Sequence, residues 1–220
     1  MTLHRRALVV APADPALVDP PEPADVLIAA DAGVDLARAL GLAVDLVVGD
    51  LDSASAAGIA WARAGGARII EHPRDKDETD LELALQHAIT MAGSVTVLAD
   101  PAGRLDHLAA NLAVLASPRW AEARLDAWMG RTHVVVIRRH RRLPVEPGRV
   151  VSLLAVGGPA RGVSSTGLRF ALSADVLEPT TARGVSNVVV DRPAELRVDD
   201  GVLLAIIPPG PSTGRVGDRG

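Results

Sequence analysis

Short apolar runs alternate with stretches of helical spacing through the first half of the chain, and this alternation restricts the fold more than any other feature. The runs are Ala7 to Ala11, Val26 to Ala30, Asp45 to Val48, Arg68 to Glu71 and Val95 to Ala99. Their length, and the turn or charged residues that bound them, predict buried strands. Val34 to Leu40, Ser55 to Ala64, Thr79 to Ala92 and Leu105 to Leu115 predict helices. Alternation of this kind implies an α/β fold, a mostly parallel sheet with helices on both faces. The third helix has the clearest start: Thr79 is placed to cap the first turn, and Glu82 three residues on closes a capping box. Leu81, Ala84, Leu85, Ala88 and Ile89 supply its apolar stripe.

From about Arg131 the texture changes to short strands separated by Gly, Pro and Ser: Val134 to Ile137, Val150 to Val156, Ala182 to Val190, Glu195 to Val198 and Val202 to Ile207. These predict a smaller, sandwich-like all-β domain over 131–208, after an α/β domain over 1–130. Residues 209–220 are rich in Pro, Gly and Ser and read as a disordered tail. The basic run Arg138 to Arg142 reads as a solvated connection between strands.

Composition narrows the function. With 48% apolar residues, a chain of 220 can bury a core without staples. It has no cysteine, which removes disulfide and thiolate chemistry and favours a reducing, cytoplasmic setting. A net charge of −4 argues against a nucleic-acid partner, because phosphate backbones call for a clustered positive field. No apolar run is long enough for a membrane helix. The start, His4-Arg5-Arg6 before an apolar run, imitates a signal peptide, but Pro12 and Asp14 interrupt it early, and a first buried strand is the better reading.

Acidic residues collect where the strands end, the edge at which an open α/β sheet places its ligand. Asp31 follows the second strand, Asp50 and Asp52 the third, Asp75, Asp77 and Asp80 the fourth, Asp100 and Asp106 the fifth. Carboxylates brought together repel unless a cation lies among them. Mg²⁺ fits, since it takes hard oxygen ligands and is commonly held by one or two carboxylates together with substrate phosphates. In Gly49-Asp50-Leu51-Asp52-Ser53 the two acids are two residues apart and point the same way if the segment is extended. A surface turn with two solvated acids is the ordinary alternative. Asp75-Lys76-Asp77-Glu78-Thr79-Asp80 opens a helix, where free N–H groups welcome phosphate oxygens and Lys76 adds a point charge. Here too, acids in a first turn are common dipole partners. Arg104 offers a planar fork for phosphate, Asp106 is placed to orient it or to cap the helix, and His107 reads as structural.

Taken in order, these elements resemble the thiamine pyrophosphokinase family. The pieces are Asp31-Ala32-Gly33, Gly49-Asp50-Leu51-Asp52-Ser53, Asp77-Glu78-Thr79-Asp80, Ala102-Gly103-Arg104-Leu105-Asp106-His107, Gly167-Leu168-Arg169-Phe170 and Ser186-Asn187. Each is weak alone, but the ordered set spans nearly the whole chain. The resemblance implies an ATP-dependent, Mg²⁺-requiring transfer of a diphosphoryl group to thiamine. By the same resemblance Asp50, Asp52 and Asp80 hold the metal, with Arg104 as their catalytic companion. Asp31, Ser53, Lys76, Asp77, Thr79, Arg104 and Asp106 surround the nucleotide. Phe170, Ser186 and Asn187 receive thiamine across a homodimer interface, with Phe170 as the stacking ring. Ala32 and Ala102 stand where the family has glycine, which bears most on the identity of the alcohol. The rival readings are a diphosphokinase for another heterocyclic alcohol such as a hydroxymethylpterin, a phosphatase with an aspartyl nucleophile in Asp50-Leu51-Asp52, and a non-catalytic thiamine or nucleotide sensor.

Overall fold

The computed structural model of the chain describes residues 5–19, 21–100 and 105–210. Its first half contains β1 (Arg6–Val10), β2 (Val26–Ala30), β3 (Leu46–Gly49), β4 (Arg68–Glu71), β5 (Ser94–Ala99) and β6 (Arg124–Met129). The six strands are parallel, in the spatial order β4-β3-β2-β1-β5-β6. Helices α1 (Gly33–Ala39), α2 (Ala56–Ala64), α3 (Asp80–Met91) and α4 (Leu105–Ala116) accompany them. Because both faces are covered, the central strands β1, β2 and β3 are apolar on both sides. Ala7 and Val9 join Leu81, Leu85 and Ala88 of α3 in one core, while Leu8 and Val10 join Leu36, Ala37 and Ala62 of α1 and α2 in another. Removing such side chains from water is worth about 1.5–3 kcal/mol for each Val or Leu.

A two-residue turn, Gly130 and Arg131, brings the chain straight back alongside β6 as β7 (Thr132–Ile137), with Met129 opposite Thr132. The remaining strands are β8 (His140–Arg142), β9 (Val150–Ala155), β10 (Ala160–Thr166), β11 (Asp175–Leu177), β12 (Asn187–Val188), β13 (Glu195–Arg197) and β14 (Leu203–Ile207). Strands β7, β14, β9 and β12 extend the parallel sheet with antiparallel partners, giving one ten-stranded sheet through both halves of the chain. A second sheet, β11-β10-β13-β8, closes over this extension. Val135, Leu153, Leu203, Val163 and Leu196 meet between the two sheets in a third core. The architecture is the expected one, a mostly parallel sheet with helices followed by an antiparallel β-rich part.

Three expectations need correction. The run Ala182 to Val190 is not one strand: only Asn187–Val188 forms a strand, because Ser186 adopts a positive φ of 59° and Gly184 lies so close to Leu153 that a Cβ would stand 2.2 Å from its carbonyl oxygen. Nor is Arg138 to Arg142 a solvated connection. It contains β8, with Arg141 in a part-buried ion pair to Asp126 at 2.6 Å and Arg138 donating to the carbonyls of Leu115 and Ser117. Strands β6, β10 and β11 were not foreseen, since Arg124, Asp126, Arg161, Ser164 and Asp175 leave them without a continuous apolar run. The expected tail lies outside the described residues from 211 onward. Among the described residues no helix is long and apolar enough to cross a membrane.

Candidate active site

Two strand ends build the rim. Asp31 leaves β2 with its N–H still donating to Val48 of β3 at 2.9 Å, then turns at a φ of 46°. That turn brings Gly33 against β1, where a Cβ would meet the Val10 carbonyl oxygen at 1.9 Å, so only glycine fits there. Next door, β3 ends at Gly49, and Leu51 takes a φ of 61° so that the chain doubles back between two acids. Asp50 accepts the Asp52 N–H at 3.2 Å, and Asp52 accepts the Ser53 hydroxyl at 3.0 Å. One carboxylate oxygen from each of Asp31, Asp50 and Asp52 lies within 4.8 Å of the others.

Helix α3 brings the fourth acid. Thr79 accepts the Glu82 N–H and Glu82 accepts the Thr79 N–H, the full capping box, which fixes Asp80 as the first helical residue. A Cβ on Gly49 would sit 3.0 Å from Asp80 Oδ1 and 3.1 Å from the Asp31 Cβ, so Gly49 is the floor on which these acids meet. Lys76, only 12% exposed, lies between them, its Nζ 3.4 Å from Asp50 Oδ2 and 3.2 Å from Asp80 Oδ1.

The electrostatics reflect this crowding. Burial raises the pKa of Asp31, the Ala32 N–H pulls it down, and Asp80, Asp50 and Asp52 push it up again, with a net rise. For Asp50 the Asp52 N–H and the Lys76 ammonium win, and its pKa falls. Burial works against the charge on Lys76, yet Asp80 and Asp50 outweigh it and its pKa rises. Asp31 Oδ1 is buried without a hydrogen bond, and Asp80 Oδ1, also buried, has only the Lys76 ammonium beside it. Buried carboxylate oxygens left this way are costly unless a cation serves them, and an all-oxygen donor set suits Mg²⁺.

The structure therefore gathers Asp31, Asp50, Asp52, Lys76 and Asp80. Asp31, expected beside the nucleotide, stands in the closest acidic trio, while Asp80, expected there, is joined to the trio through Lys76. Asp77 is exposed, and the Thr79 hydroxyl is occupied by its cap. Asp106 is exposed on the first turn of α4 and accepts the His107 N–H. Arg104 and Ala102 lie outside the described residues. Sequence reasoning missed Asp35, which accepts both the Ser55 N–H and its hydroxyl and so ties α1 to the N-cap of α2, and Arg74, 3.4 Å from Asp52. Neither has a signal beyond its charge.

At the far edge of the β-rich half, Phe170 is 63% exposed. Asn187 is buried and bonded to the Phe170 backbone on both sides, and the Ser186 N–H donates to the Ser152 hydroxyl at 3.1 Å.

Comparison with known proteins gives a match in each half of the chain. Residues 21–129 match the thiamin pyrophosphokinase catalytic domain, and residues 132–203 match the thiamin pyrophosphokinase vitamin B1 binding domain. Thiamine pyrophosphokinase 2 of Arabidopsis thaliana is 27% identical over an alignment of 177 positions that covers 74% of this chain and 64% of that protein. The match thus spans under two thirds of that relative's length. A crystal structure of thiamine pyrophosphokinase from Bacillus subtilis superposes with a TM-score of 0.81 at 18% identity, covering 94% of this chain and 100% of that one. Thiamin pyrophosphokinase from Candida albicans does so with a TM-score of 0.71 at 12% identity, covering 93% and 90%. These structural likenesses establish a shared fold. Because the two domain families follow one another in the same chain and cover most of it, the chain belongs to the thiamin pyrophosphokinase family.

Proposed function

We propose that the chain is a thiamine diphosphokinase, transferring the β,γ-diphosphoryl group of ATP to the hydroxyl of thiamine. The observation that carries this reading is the rim of Asp31, Asp50, Asp52 and Asp80 around Lys76, at the carboxyl ends of the parallel strands, in a chain with both family domains. The hydroxyl oxygen attacks the β-phosphorus, the bond from that phosphorus to the α,β-bridging oxygen breaks, and AMP leaves with the electron pair. The proton of the alcohol passes to a carboxylate of the rim, among which Asp50 is the weaker acceptor because its pKa is lowered. Asp50 and Asp52 would hold Mg²⁺ together with Asp31, the third acid of the close trio, and with Asp80 beside them, and the ion when bound would neutralise charge on the phosphate oxygens. Lys76 gives the triphosphate a fixed positive partner. Alignment and charge neutralisation, rather than a covalent intermediate, do the catalytic work.

Thiamine would stack on Phe170, and two chains would be needed to build one site. In the order β2-β1-β5-β6-β7-β14-β9-β12, seven inter-strand steps separate the acidic rim from the edge that carries Phe170. At roughly 4.8 Å per step that is about 34 Å along the sheet, far beyond the span of thiamine. A homodimer in which the β-rich half of one chain meets the rim of its partner closes this gap. We place the enzyme in the cytoplasm, in keeping with its lack of cysteine.

The test is AMP release from ATP and Mg²⁺ with and without thiamine. Release that depends on thiamine supports the assignment. Release that depends instead on a hydroxymethylpterin, or thiamine binding with no AMP formed, defeats it.

A further inference from the structure

Among the described residues the two most enclosed polar side chains are Asp31, 6% exposed, and Asn187, 4% exposed. The first belongs to the acidic rim. The second sits at the opposite edge of the sheet, and its burial needs its own explanation, because a buried amide is unfavourable unless its polar atoms are bonded.

Asn187 makes three hydrogen bonds, and two go to the same residue. Its Oδ1 accepts the Phe170 N–H at 3.0 Å while its Nδ2 donates to the Phe170 carbonyl at 2.8 Å, and Oδ1 also accepts the Val188 N–H at 2.8 Å. One carboxamide thereby takes up both backbone groups of Phe170, as a neighbouring strand would. The stretch before it is stitched to the same segment, with the Arg169 N–H donating to Val188 at 2.8 Å and Leu168 paired with Val189. In an extended strand, residues two apart share a face, so Phe170 would follow Leu168 inward. Instead Leu168 and Leu172 are buried and Phe170, between them, is 63% exposed. The backbone is held and the ring is free.

We propose that Asn187 is a positioning residue, whose carboxamide clamps the Phe170 backbone so that the ring stands ready to stack on thiamine, and that Asn187 itself does not touch the substrate. This rests on the functional reading above and assigns Asn187 a task different from the direct contact implied by the resemblance. Both bonds accepted by Oδ1 are internal, and a side chain 4% exposed offers a ligand almost no polar surface. A ring held in place before binding spares the ordering cost that a mobile one would incur.

The chain contains one Phe, so labelling with ¹⁵N-phenylalanine gives a single backbone amide signal. In the parent protein that amide should exchange slowly with solvent, and Asn187→Ala should speed its exchange at least ~10-fold. Kinetically, Asn187→Ala should raise the KM for thiamine roughly five- to tenfold, with kcat and the KM for ATP within about twofold. On a Phe170→Ala background the same substitution should add less than about twofold, since its effect passes through the ring. Should Asn187→Ala fail to fold, Asn187→Asp serves in both measurements, because it sets a carboxylate oxygen against the Phe170 carbonyl. Unchanged amide exchange, or a thiamine effect that persists in full without the ring, overturns the proposal. If the parent protein turns over no thiamine, the functional reading fails instead, and the exchange rate alone decides whether the clamp exists.

Discussion

A carboxylate as enclosed as that of Asp31 is kept for a reason other than stability. Its pKa lies above the ordinary value of 3.8, so the folded chain binds this proton more tightly than the unfolded chain does. The contribution of Asp31 to stability is therefore greatest below that ordinary value and is lost as pH rises through the folded pKa. In chelator at pH 7, Asp31→Asn should thus stabilise the protein by on the order of 1 kcal/mol, or about 2–4 °C in Tm, and the gain should shrink as the buffer is acidified. Thermal melts of both proteins from pH 3 to 8 measure this; a variant that melts lower at every pH contradicts it. Asp52 is half-exposed and bonded chiefly within its own turn, so Asp52→Asn should leave the fold intact by circular dichroism and lower kcat at least ~100-fold. Near-normal turnover in that variant removes Asp52 from the metal set. At this scale the acids were legible because strand ends are where an α/β sheet presents ligands. That Asp31 joins Asp50 and Asp52 more closely than Asp80 does was not legible, since it depends on the positive φ of Asp31 and of Leu51, both at non-glycine residues.

Helix α3 and the turn after β3 carry the rim between them. The capping box that fixes the start of α3 could be read directly from Thr79 and Glu82, because a side chain three residues away meets the N-cap by helical geometry alone. Thr79→Ala should cost about 1 kcal/mol of stability, read by urea denaturation, and should reduce activity by loosening Lys76 and Asp80. Gly49 has a φ of 150° and almost no room beside it. Gly49→Ala should destabilise by roughly 1–3 kcal/mol and displace Asp80, so that its loss of turnover persists at temperatures where the protein is fully folded. Strands buried on both faces announce themselves as continuous apolar runs, which is why β1, β2, β3 and β5 were legible. Strand β6 escaped notice because Arg124, Asp126 and Trp128 alternate with its buried Leu125, Ala127 and Met129, and the partner of Asp126, Arg141, lies on another strand. The opposite error, one long strand over Ala182 to Val190, arose because apolar content says nothing of the left-handed turn at Ser186.

For the whole molecule, the change of texture near Arg131 could be seen in the sequence, but not the continuity of the sheet across it. Pairing between distant segments, such as β14 between β7 and β9, is a long-range choice that no local pattern encodes. If each site draws its rim from one chain and its ring from another, two inactive proteins should repair each other. Asp52→Asn and Phe170→Ala subunits, unfolded together and refolded as a mixture, should recover about a quarter of parental activity when assayed at thiamine well below the KM of the Phe170→Ala protein, as random pairing into two-site dimers requires. Recovery no greater than the sum of the separate variants would mean that both halves serve the same site within one chain. The hairpin at Gly130 and Arg131 sets a limit on how such an enzyme can work. Strands on either side of it share a ladder from Asp126 to Met129 and from Thr132 to Val135, so the two halves are joined there by continuous sheet and not by a free linker. In a homodimer of the proposed kind, the spacing between the phosphate end and the vitamin end would be set by how the subunits seat against each other, and a change in that seating would alter which alcohols fit.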